Sequence, residues 1–90
     1  MKAVLFYEIR AGVLMEVLKA VYPRHKVIVD EFHKQDRLLA VGTWADPMEG
    51  SMGVFRDRKS AEDFVSSDPF VLEKLVGKVT IKDWNESLMG

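Results

Sequence analysis

The chain has 90 residues, of which 48% are hydrophobic and 30% charged, the balance of a globular protein rather than a disordered or fibrous one. Thirteen basic against fourteen acidic residues leave a net charge of −1, which gives no electrostatic footprint for nucleic acid or an anionic membrane. With no cysteine there is no disulfide, no thiolate nucleophile and no thiolate metal site.

The first element is Lys2 to Glu8, β-prone and apolar, and its early charges make a signal peptide an unsuitable reading. After Ala11-Gly12, the stretch Val13 to Val21 is expected to form a first helical segment. Pro23 then kinks that helix or opens a new one. From Pro23 to Gln35, His25, Ile28, Val29 and Phe32 fall at i, i+3, i+4 and i+7, one stripe of an amphipathic helix. Asp36 can take the left-handed conformation that ends it.

A second strand is expected over Arg37 to Ala45, with Leu38, Ala40, Gly42 and Trp44 alternating against Leu39, Val41 and Thr43. Asp46-Pro47-Met48-Glu49-Gly50 reads as a hairpin loop and Ser51 to Arg56 as a third strand. Ser60 is the expected N-cap of a helix from about Ala61 to Ser66, and Asp68-Pro69 restarts a short helix. Val76 to Trp84 is the last strand, and Asn85 to Gly90 a frayed tail.

Strand, helix, strand, strand, helix, strand is the ferredoxin-like βαββαβ order of an α+β domain, with an antiparallel sheet and both helices on one face. One domain spanning residues 1–90 is expected. The first two strands are apolar on both sides, with Val4, Phe6, Leu39 and Val41 opposing Ala3, Leu5, Leu38 and Trp44. Two helices cover one side only, so a homodimer through the other sheet face is expected.

His25 and Asp68 are the best pair for proton transfer: an imidazole exchanges protons near neutral pH, and a carboxylate fixes its tautomer. Placed in a helical turn opened by Pro23, His25 would feel the positive helix end, which favours the neutral ring. The less specific reading is that His25 packs and Asp68 caps a helix. His33 is expected to face solvent, and Ser66 and Ser67 to cap or turn. Trp44, Phe55, Phe70 and Trp84 read first as core or interface residues, with Trp44 and Phe70 also placed to wall a binding cleft. The two histidines lie eight positions apart without a ligand motif, so neither a metal nor any other cofactor is expected.

Pro23-Arg24-His25, Phe32-His33, Arg37-Leu38-Leu39-Ala40-Val41-Gly42, Ser60-Ala61-Glu62-Asp63-Phe64, Asp68-Pro69-Phe70-Val71 and Val79-Thr80-Ile81-Lys82 together resemble the YciI-like (YCII-related) family, in order and over nearly the whole chain. The resemblance implies a dimeric α+β barrel, a histidine–aspartate pair in a cleft at His25 and Asp68, and elimination-type or related chemistry on small cyclic compounds. The chain departs from the family pattern at Tyr22, often arginine there, and at Asp36, Thr43, Lys74 and Asp83. Positive charge for a substrate anion then falls to Arg24 and Lys26. The expected site is a mostly apolar pocket for a small-molecule ligand, with His25 and Asp68 at its base, Arg24 or Lys26 at its rim, and the Trp44-to-Ser51 loop beside it. A cytoplasmic location is expected, with neither nucleic acid nor membrane as partner.

Overall fold

The computed structural model describes residues 1–87 and consists of one four-stranded antiparallel sheet with helices packed on one face. Strands β1 (Lys2–Ile9), β2 (Leu38–Thr43), β3 (Ser51–Phe55) and β4 (Val76–Trp84) lie in the order β2-β3-β1-β4. Helix α1 (Met15–Lys34) follows β1, and α2 (Arg58–Ser67) and α3 (Pro69–Leu72) follow β3. This is the expected ferredoxin-like arrangement. The frayed tail expected from Asn85 runs into residues 88–90, outside those described; within the described part, Lys2 pairs with Glu86.

Three local expectations are corrected. Pro23 does not open a new helix, because α1 is continuous around it. The missing Pro23 N–H leaves the Lys19 carbonyl without its i+4 donor, a loss that packing against the sheet over five turns outweighs. His25 therefore sits mid-helix, where neither end of the dipole reaches it. The helix does end with Asp36 in the left-handed region, at φ 57°.

The second correction concerns β2. Leu38 pairs with Phe55 but Ala40 pairs with Val54, so Leu39 is an extra residue and the inside–outside alternation reverses there. Val41 and Thr43 join Leu5 and Tyr7 on the helix-covered face, while Ala40 and Gly42 turn to the open one. Trp44 lies just beyond the strand and is 41% exposed. The uncovered face is still apolar at its centre, but through Val4, Phe6, Met52 and Val54, from β1 and β3.

The start of α2 also differs. Asp57, not Ser60, is the N-cap, its carboxylate accepting from the Ser60 N–H at 2.8 Å. Ser60 is buried one turn in, where its hydroxyl accepts from Arg37 Nε at 3.0 Å. Arg37 also reaches Asp63 and lies over the Phe32 ring, pinning the start of β2 to both long helices. The core packs Ala3, Leu5 and Tyr7 of β1 and Phe55 of β3 under Phe32 and Phe64. A second cluster, around Val13, Leu18, Val21 and Leu75, closes the end nearer α3.

Candidate active site

Asp68 sits where α2 stops and α3 begins, and it is fully buried. A buried carboxylate must be supplied with donors. Three are present. Oδ1 accepts the Phe70 backbone N–H at 3.0 Å, the N-cap bond of α3, and Oδ2 accepts the Tyr7 phenol at 2.8 Å. The third is His25, whose Nδ1 lies 2.8 Å from Oδ1. An ionised carboxylate only accepts, so Nδ1 carries the proton and donates.

The imidazole is held on its faces as well. It stacks on Phe70, with centroids 4.3 Å apart, and meets Phe64 edge-on at 6.0 Å. Its Nε2 has no partner among the described residues. Because no buried side-chain nitrogen or oxygen there lacks one, Nε2 is open to solvent. The ring lines a cavity of about 390 Å³ between α1 and the β2–β3 hairpin. One edge of the ring thus grips a buried carboxylate while the other faces open space.

Tyr7, on the middle strand, was not singled out by its sequence context, which marks it as one apolar strand residue among several. Burial pushes its phenol well above the ordinary range, and the Asp68 charge and hydrogen bond push it the same way. The hydroxyl therefore stays protonated and remains a donor to Asp68.

The cavity walls are mostly apolar, through Ile9, Met15, Leu18, Val29, Val41 and Phe70. Of the other sequence-derived candidates, Lys26 lies in the wall and its ammonium pairs with Asp30. Arg24 projects away from the cavity and pairs with Glu73 at 2.5 Å, and Trp44 is also outside the wall. Pro47 and Gly50 of the hairpin loop border the cavity. Lys19, Thr43 and Ser51 line it too, although none stood out in the sequence. His33 donates to the Leu38 carbonyl, and Ser66 and Ser67 to the Asp63 carbonyl, which are structural roles. Among the described residues no cluster of three or more His, Cys, Asp or Glu side chains could hold a metal ion. No described helix is long and apolar enough to cross a membrane.

No family model and no curated protein matches the chain. Solved structures do. The 5-chloro-2-hydroxyhydroquinone dehydrochlorinase TftG from Burkholderia phenoliruptrix, in complex with 2,5-dihydroxybenzoquinone, superposes with a TM-score of 0.77 at 20% identity, over 97% of this chain and 96% of that one. The likeness is one of fold, the ferredoxin-like α+β arrangement of sheet and helices described above. A hypothetical Arabidopsis thaliana protein, known from its solution structure, is more distantly similar, with a TM-score of 0.53 at 15% identity over 99% of this chain and 89% of its own.

Proposed function

We propose that the protein is a small-molecule enzyme of the YciI-like type, in which His25 moves a proton and Asp68 orients it. The substrate is small and cyclic or partly apolar, and the reaction is an elimination or isomerisation. One observation carries this reading: the His25 ring joins a fully buried, triply hydrogen-bonded carboxylate on one side to an open, mostly apolar cavity on the other.

With Nδ1–H donated to Asp68, the Nε2 lone pair is free to accept a proton from a substrate atom in the cavity. The imidazolium that forms lies against the Asp68 carboxylate, which stabilises its charge. The same Nε2–H then returns the proton, to a departing group in an elimination or to another ring atom in an isomerisation. Tyr7 and the Phe70 amide hold the carboxylate throughout, so neither needs to reorganise. The dehydrochlorinase neighbour is named for an elimination on a small hydroxylated ring, which suits this chemistry. The protomers pair through the sheet face that the helices leave uncovered, whose centre is apolar.

The contrasting reading is a non-catalytic ligand-binding homodimer. The Asp68 cap on α3 and the His25 stack on Phe70 favour it, since each residue then has a structural task. Substitution separates the two readings. Once a thermal-shift screen of small cyclic metabolites identifies a turned-over compound, His25→Ala and Asp68→Asn should each lower kcat by roughly 10²- to 10⁴-fold. Full turnover in both variants, with native circular dichroism, would reject the dyad and leave the binding module.

A further inference from the structure

Across the floor of the cavity the sheet carries a row of three hydroxyl residues. Thr43 of β2 pairs directly with Ser51 of β3, and Ser51 pairs directly with Tyr7 of β1. Directly opposed residues on an antiparallel ladder share a face, with Cβ atoms roughly 4.5–5.5 Å apart. The Tyr7 side chain points to the helix-covered face, where it meets Asp68, so Thr43 and Ser51 point there too. All three line the cavity.

Their hydroxyls are not equivalent. Tyr7 is committed to Asp68. Thr43 and Ser51 have no side-chain partner among the described residues, and neither is buried. The adjoining floor positions on that face, Val41, Gly53 and Leu5, offer no side-chain hydrogen bond. Two free donor–acceptor groups therefore stand at one end of a mostly apolar chamber that has His25 in its wall. Lys19, on the α1 face that also carries Met15, Tyr22 and Lys26, lines the same chamber. Lys26 is paired with Asp30, but Lys19 has no carboxylate within ion-pair distance among the described residues.

We infer that Thr43 and Ser51 form a recognition edge for the oxygen substituents of a cyclic ligand, with Lys19 holding an oxygen that is ionised. The inference rests on the proposed site and narrows its substrate class to hydroxylated or oxo-substituted rings. A hydroxyl can serve either a donor or an acceptor substituent, so the opposed pair suits two ring oxygens of either kind. A ring without oxygens would strip water from both hydroxyls and return no hydrogen bond, so the edge selects against it.

The test uses 2,5-dihydroxybenzoquinone and, as an apolar ring of similar size, toluene. Both are titrated into the full chain, with NMR shifts of the His25 ring protons reporting occupancy and calorimetry reporting affinity. The native protein should bind the oxygenated ring at least about tenfold more tightly than toluene, the equivalent of two net hydrogen bonds. Combining Thr43→Val with Ser51→Ala should remove about tenfold of that affinity and tighten toluene binding, which no longer strips water from the two hydroxyls. The two single variants give the same answer in smaller steps if the double variant folds poorly. Lys19→Met should weaken the oxygenated ring a few-fold and flatten its salt dependence. Should the hydroxyl variants bind it as tightly as the native protein while His25 still senses both rings, the recognition edge is wrong and the site survives. Should neither ring disturb His25 in the native protein, the site itself falls and the inference with it.

Discussion

At the scale of single residues, the decisive group is Asp68, a carboxylate with no exposure to water and three donors around it. Such a group persists only if every donor stays a donor, and Tyr7 is the donor whose proton the unfolded chain gives up in the alkaline range. Its folded-state pKa is raised, so the folded protein holds a proton that the unfolded chain releases above about pH 10. The Tyr7 contribution is therefore complete below pH 10 and is lost as pH rises above it, at up to about 1.4 kcal/mol per pH unit. Urea unfolding at pH 9, 10 and 11 should show this decline, and Tyr7→Phe should remove it from the native profile. At pH 7 the same variant should cost about 1–3 kcal/mol, because Oδ2 is left buried without its donor. An alkaline slope identical in the two proteins would mean that the phenol is not coupled to the carboxylate.

At the scale of elements, the cavity exists because the β2–β3 hairpin stands away from α1 while lying tightly against β1. Gly50 makes the second contact possible. It has φ 114°, and a Cβ there would lie 1.9 Å from the Tyr7 carbonyl oxygen, against backbone that cannot move aside cheaply. Gly50 directly precedes Ser51, so it also sets the row that runs from Tyr7 through Ser51 to Thr43. Gly50→Ala is expected to destabilise the fold by at least about 1–3 kcal/mol in denaturant unfolding. It should also perturb the His25 resonances although the substituted residue does not touch the ring. Stability within about 0.5 kcal/mol of native would show that the hairpin has room to shift.

At the scale of the whole molecule, the helices cover one sheet face and leave the other with Val4, Phe6, Met52 and Val54 at its centre, flanked by Thr80 and Lys82 of β4. An apolar strip of this kind on a small protomer is costly to leave wet. The expected species in light scattering at micromolar concentration is a dimer, at twice the 10.3 kDa chain mass. Phe6→Lys places a charge at the centre of that face and should yield a monomer with its own His25–Asp68 contact intact, because Phe6 points away from the cavity. A native protein that scatters as a monomer would remove the pairing proposal.

Order and type of element were legible in the chain because they depend on local pattern. The stripe of His25, Ile28, Val29 and Phe32, the Asp68-Pro69 cap and the turn at Asp36 are each written within a few residues. The His25–Asp68 pairing could be suspected from residue chemistry alone. Three features were decided by tertiary contacts instead. Helix α1 runs through Pro23 because burial against the sheet outweighs one missing hydrogen bond, and only that continuity puts Lys19 on the same face as Lys26. The extra residue at Leu39 reverses the faces of β2, a choice made by pairing with β3 and invisible to a period-two reading. Tyr7 meets Asp68 across 61 positions of chain, and no local pattern marks a hydrogen bond that only the closed sheet brings about.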